Sequence, residues 1–261
     1  MTVRISHDDD VATLTLNRPE RRNALDLATV LALQAALDEL AADTGVRVVV
    51  VTGAGSAFCS GADLDAASDG GDESFAGDAA GAFADVLSAM VDHPKPIIAR
   101  VQGPVAGGGN GLVAACDLAV ATDSAWFAFT EVRLGVVPAV IAPYVLRKVT
   151  PSAASELMLT GDRVSAEMAR EAGLVQRVVR GESLDATVQG WVSQLRRGGP
   201  QALAVTKRVL TRVPTLSRDE ARSWTTVVSA AAFRSDEAQE GFAAYADRID
   251  PSWVRRGRTT P

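Results

Sequence analysis

Lysine is scarce in this chain: of 26 basic residues only Lys95, Lys148 and Lys207 are lysines. Histidine and cysteine are scarcer still, with His7, His93, Cys59 and Cys116 the full complement. The two cysteines lie far apart and form neither a CxxC pair nor a disulfide framework, which fits a reducing compartment. Neither histidine has a partner at metal-ligand spacing, so no metal site is expected. A Ser-His-Asp hydrolase is argued against too, because no G-x-S-x-G elbow is present and both histidines sit in incidental positions. No apolar run approaches the length of a membrane span, and the start, MTVRISHDDD, has no apolar core. The expectation is a soluble cytoplasmic protein with no membrane partner. A net charge of −6 and the lack of any Lys/Arg-rich run argue against nucleic acid as a partner. Any phosphate site must then use local arginine or backbone amides. What is present is 261 residues, 47% hydrophobic, enough for one large packed domain or a domain with an appendage.

VATLTL (11–16) alternates like a half-buried strand and ends at the turn signal NRPE. Residues 25–42 repeat apolar positions at helical spacing, and VRVVVVT (46–52) is a β-branched run of the kind buried on both faces. The stretch ASDGGDESFAGDAAG (67–81) has no clear period and is expected to be mobile, as a lid over a site. PIIARV (96–101) predicts a second buried strand, the Gly-rich QGPVAGGGNG (102–111) leads into a short apolar helix, and LAVAT (118–122) predicts another strand. From about residue 138 the pattern is mostly helical, and 183–248 predicts several helices in succession. The class is α/β with a helical tail.

Three segments can carry chemistry. FCSGADL (58–64) follows a buried strand, and its Gly-Ala pair lets the backbone approach a ligand and point an N–H at it. The plainer alternative is a strand-to-helix turn capped by Asp63. The glycines of 107–111 open a helix, whose unpaired N–H groups and partial positive charge can stabilise an oxyanion. A G-x-G-x-x-A string begins at Gly109, but a dinucleotide fingerprint starts at the strand end, and here several residues intervene after Val101. That reading is rejected. In FAFTEVRLGVVP (127–138), Glu131 stands among Phe127, Phe129, Val132, Leu134 and Val136, surroundings that raise a carboxyl pKa toward neutrality. The alternative is a surface glutamate at a strand end, paired with Arg133.

Taken together the chain resembles the crotonase, or enoyl-CoA hydratase/isomerase, family. The resemblance rests on NRPERRNAL (17–25), FCSGADL (58–64), KPIIARVQGPVAGGG (95–109), ACD (115–117), the Phe127–Pro138 segment and LTGDRVSAEMAREAGLV (159–175), in the family's order over nearly the whole chain. It implies a crotonase-like spiral of ββα units over 1–195 and a helical C-terminal trimerisation region over 196–261, giving a homotrimer or a dimer of trimers. It implies an acyl-CoA thioester as substrate, with no cofactor beyond the CoA that the substrate carries. The thioester oxygen would meet the backbone N–H groups of Ala62 and Gly108. Ala24, Ser60, Asp63 and Leu64 would lie along the CoA groove, with Arg22 or Arg21 near phosphate. Asn110, Gly111 and Ala139 would border the acyl pocket.

The departures from the family matter as much. Hydratases of the two-glutamate pattern carry one glutamate in the Gly-rich helix, and that position is Gly111 in this chain; the other is retained as Glu131. The Gly-rich turn that usually follows the proline is replaced by AVIAPY (139–144), and only Arg248 stands where the family often has a basic cluster. One glutamate suffices to move a proton between C2 and C4, which is 3-enoyl-CoA to 2-enoyl-CoA isomerisation. Hydration must run through Glu131 alone, with help from Asn110 or the substrate. TEVRLGVVPAVIAP (130–143) resembles a branch associated with hydration of branched or glutaconyl-type enoyl-CoAs, so hydratase is the leading expectation and isomerase the alternative. A non-catalytic acyl-CoA-binding subunit is the alternative of another class.

Overall fold

The computed structural model describes residues 1–63 and 73–254, with the backbone alone over 73–78. A six-stranded sheet runs in the order β1 (Val3–Asp8), β2 (Val11–Leu16), β3 (Val48–Gly53), β4 (Ile97–Val101), β6 (Leu118–Thr122) and β9 (Arg177–Val179). β1 pairs antiparallel with β2, and every later pair is parallel. A three-stranded sheet holds β5 (Val105–Ala106), β7 (Trp126–Ala128) and β8 (Val164–Ser165).

The β-branched run of β3 is buried along its whole length, and pleating divides its side chains between two clusters. Val49 and Val51 join the main core with Leu14, Leu33, Leu37 and Phe58. Val48 and Val50 turn the other way, against Val188, Trp191 and Val192 of a helix over Leu184–Leu195. Burial on both faces is the reason the run does not alternate with polar residues.

Helix α1 (Leu27–Ala42) follows β2, and Asp26 caps it by accepting from the Thr29 N–H at 2.8 Å. Helix α2 (Glu73–Asp92) takes in residues 73–81, so that part of the stretch expected to be mobile is regular helix. Residues 67–72 of the same stretch, and Leu64, lie outside the described residues. Helix α3 (Gly108–Ala115) opens at Gly107, and the short α4 (Ala142–Val145) packs against it. At the C-terminal end, Pro200–Arg212, Arg218–Phe233 and Asp236–Asp247 are helices that leave Val227, Phe233, Phe242 and Tyr245 exposed. Among the described residues no helix is long and apolar enough to cross a membrane.

Candidate active site

Two backbone crossings bring the first two chemical segments together. The turn after β2 meets the segment after β3 through a parallel bridge between Leu25 and Ala62, in which Leu25 N–H donates to Gly61 O (2.8 Å) and Asp63 N–H to Leu25 O (3.0 Å). The same segment bridges to β5 at Cys59 and Val105, and Ala106 N–H donates to Cys59 O at 2.9 Å. Gly61 adopts φ +86°, and a Cβ there would lie 2.9 Å from Ala106 O and 3.1 Å from Gly108 N. Glycine is required at that crossing both for its left-handed backbone and for the closeness of the two chains.

Gly107, at φ +49°, ends the crossing and starts α3. Its N–H donates to Ala128 O at 3.0 Å, so the loop is tied to β7. Gly108, as the first residue of the helix, has no carbonyl one turn back to accept its N–H. No carbonyl among the described residues accepts from Ala62 N–H either. Both residues line one cavity of about 330 Å³, together with Glu131. Two unspent N–H donors on one wall are what a developing oxyanion requires.

Glu131 is placed by a 3-10 turn over Thr130–Leu134 directly after β7, not by a strand end. Its Oε1 lies 3.7 Å from where a Cβ on Gly107 would stand, which puts the carboxylate against the glycine loop. Oε2 is buried without a hydrogen-bond partner. Burial pushes the carboxyl above its ordinary value. The alternative pairing with Arg133 is not made: that guanidinium bonds Thr160 O at 3.0 Å and the Asp162 carboxylate. Phe127 and Phe129, expected around Glu131, are fully buried core side chains, whereas Val136, Val137 and Ile141 share the cavity wall with it.

The strongest local charge network went unread in the sequence. Arg18 Nη2 meets Asp63 Oδ2 at 2.8 Å, while Nη1 meets Ala24 O at 2.7 Å and Asp26 Oδ2 at 3.2 Å. Asp63 is therefore an ion-pair partner in the cavity wall. Burial pushes Asp26 up, but its Thr29 hydrogen bonds and the Arg18 charge outweigh this and hold it below the usual carboxylate range. Arg18 thus clamps the turn after β2 onto the segment that presents Ala62.

Comparison with known proteins bears directly on this arrangement. The family model for enoyl-CoA hydratase/isomerase matches residues 6–256. The chain belongs to the enoyl-CoA hydratase/isomerase family. A carnitinyl-CoA dehydratase of Salmonella arizonae is 34% identical over 258 residues, covering 97% of this chain and 98% of that protein. Among solved structures, an enoyl-CoA hydratase of Mycobacterium smegmatis superposes with a TM-score of 0.93 at 34% identity, covering 98% of this chain and 100% of that one. One from Shewanella pealeana gives 0.92 at 29% identity, covering 97% and 96%. The architecture is accordingly the crotonase fold with its helical C-terminal region.

Within that family's frame, Ala62, Gly108, Glu131 and Asp63 share the cavity. Ala24, Ser60 and Arg22 lie in the adjoining turn, where Ser60 N–H donates to Arg22 O at 3.0 Å and Ser60 Oγ–H to Arg21 O at 3.3 Å. Ala24 is buried and the Arg22 side chain is exposed. The three residues expected to border the acyl pocket do not line this cavity. Asn110 is fully buried and donates to Gly107 O (3.1 Å) and Ala128 O (2.8 Å), bracing the glycine loop. Gly111 is buried behind Ile141, and Ala139 is exposed off the cavity wall. The wall uses Ile141, Val140 and Phe83 in their place. Phe83 had a readable signal, since with Val86, Leu87 and Met90 it makes a helical stripe. The Gly/Asp-rich text just before it concealed the start of that helix.

Proposed function

We propose that the protein is an enoyl-CoA hydratase that adds water across the double bond of a 2-enoyl-CoA, with Glu131 as its single acid/base and the Ala62 and Gly108 N–H groups on the thioester oxygen. The observation that carries the proposal is the Glu131 carboxylate itself: half-buried, raised in pKa, one oxygen unpartnered, on the wall that also bears both donors. As a carboxylate it takes a proton from water attacking C3. Electron density moves onto the thioester oxygen, where the two N–H groups hold the enolate; each such donor is worth about 10²–10³ in rate. The carboxylic acid so formed then delivers its proton to C2, and the carboxylate is regenerated. No metal or redox cofactor takes part.

Acyl chemistry follows from charge. Among the described residues Asp26 and Asp63 are the other carboxylates on the wall, and Arg18 pairs with both, so that one guanidinium offsets one of their two charges. An acyl chain ending in a carboxylate would meet acids whose cation is engaged. Leu25, Val30, Phe83, Val136, Val140 and Ile141 make most of the rest of the wall apolar, so the expected substrate carries an uncharged, apolar acyl chain. Val227, Phe233, Phe242 and Tyr245, left exposed on the last helices, suit the self-association that the family resemblance implies.

The test is one absorbance assay of the conjugated thioester on 2-butenoyl-CoA and 3-hexenoyl-CoA, wild type beside Glu131→Gln. Hydration predicts a falling signal on the 2-enoyl substrate, abolished in the variant. A rising signal on the 3-enoyl substrate alone makes the protein an isomerase. Binding without turnover on either makes it an acyl-CoA-binding subunit.

A further inference from the structure

Gly111 and Ile141 occupy one space. Gly111 lies in the first turns of α3 and is buried off the cavity wall, whereas Ile141 is on that wall and 2% exposed. A Cβ on Gly111 would overlap Ile141 Cγ2, and it would lie 3.0 Å from Ile141 Cβ and 3.3 Å from Leu87 Cδ1. Side chains do not approach so closely in packed interiors, so α4 seats on α3 only because position 111 has no side chain. Ile141 directly precedes α4, whose Val145 is fully buried, and Val145 N–H donates to Ile141 O at 3.0 Å. That anchoring, with a β-branched side chain of few rotamers, makes Ile141 a firm wall.

We propose that Ile141, seated on Gly111, is the specificity-determining residue of the acyl cavity. It limits how far the acyl chain penetrates, and it bars any side chain, a second carboxylate included, from position 111. The proposal rests on the reading of this cavity as an acyl-CoA site. Its physical basis is the burial of apolar surface, where each methylene admitted or refused changes affinity about fourfold.

The experiment measures binding of butyryl-CoA and octanoyl-CoA by calorimetry, since saturated thioesters bind without turning over. Ile141→Ala opens room for two or more methylenes and should raise the preference for octanoyl over butyryl by about tenfold relative to wild type. Ile141→Val, a milder truncation, should move the ratio the same way by about fourfold or less. An unchanged ratio in either folded variant overturns the proposal while leaving the acyl-CoA reading intact. Failure of the wild type to bind either thioester overturns both. A thermal-denaturation cycle reads the packing independently of ligand. Gly111→Ala and Ile141→Ala should each lower Tm, and the double variant should lose clearly less than the sum of the two, because the truncation frees the space that the new methyl needs. Purely additive losses would show that the two residues do not share one space.

Discussion

Replacing Arg18 with methionine tests whether the clamp between the β2 turn and the Ala62 segment carries stability and catalysis together. In the wild type the Arg18 side chain is 16% exposed, the Asp63 side chain 7% and the Asp26 side chain 25%. Removing the cation leaves Asp63 as a buried carboxylate without a counter-charge, and Ala24 O without its donor. Breaking a buried pair from one side costs about 3–5 kcal/mol. Water reaches the Asp26 end, so the low end of about 3 kcal/mol is expected, because Asp26 keeps its Thr29 hydrogen bond. For a chain of this size that corresponds to a Tm drop of roughly 6–12 °C, read by thermal denaturation at pH 7. Adding Asp63→Asn removes the stranded charge, so the double variant should melt higher than the sum of the two single losses predicts, by at least ~1 kcal/mol of coupling. Catalysis adds a second readout: the Ala62 N–H is presented by the clamped segment, so kcat should fall while the fold persists. A Tm within a degree of wild type, or strictly additive effects, would refute the reasoning.

Three further variants carry expected outcomes. Glu131→Gln should lower kcat by about 10²–10⁴. Because burial raises the Glu131 pKa above 4.5, the native state holds the extra proton between the unfolded and folded values, and charging it costs stability as pH rises through that window. Glu131→Gln should therefore melt higher than wild type at pH 7, the gain vanishing below about pH 4.5; an equal gain at every pH would contradict the assignment to this charge. Gly61→Ala places a Cβ 2.9 Å from Ala106 O at a positive φ, so kcat on any accepted thioester should drop, with a loss confined to KM counting against the donor geometry. Asn110→Ala strips donors from Gly107 O and Ala128 O and should cost about 1–3 kcal/mol in urea unfolding. A changed acyl-chain preference there, with stability intact, would return Asn110 to the pocket.

What the sequence displayed followed from how far each contact reaches along the chain. β3 and α1 could be read because their periods are local and each buries a whole face or both. β1 was missed because only Val3 is buried and Ile5 half-buried on its inner face, an alternation of two apolar residues too short to stand out, and the strand is an edge of the sheet. β5, β7 and β8 are two or three residues each and exist only through pairing with one another, so no window along the chain contains their signal. The site divides in the same way. Glu131 could be singled out by its apolar neighbours, and the Gly-Ala pair and the glycine run marked the two backbone segments, whereas the choice of Ala62 and Gly108 as the two donors came from the family resemblance, since composition does not say which N–H is left free. Arg18 makes its decisive contact to Asp63, far along the chain, and an arginine in a turn has no periodicity to betray it. Asn110 and Ala139, which do not line the cavity, were carried over by position, although AVIAPY replaces the turn that would set the wall.

That replacement also constrains how the proposed hydration would run. With Ile141 filling the space over Gly111, no carboxylate can stand at the first family position, and Asp26 and Asp63 are held by Arg18. On the proposed hydratase reading, Glu131 is then the carboxylate among the described residues that would both deprotonate the water at C3 and protonate C2. A single carboxylate touches a planar double bond from one side, and the N–H pair holding the thioester oxygen fixes which side that is. The new C–O and C–H bonds must therefore form on the same face. Hydration of 2-butenoyl-CoA in D2O should give a product with one deuterium at C2, placed syn to the C3 hydroxyl, as read from its proton coupling constants. Anti addition would require a second acid on the opposite wall. In that case the one-glutamate mechanism would fail even if Glu131→Gln were inactive.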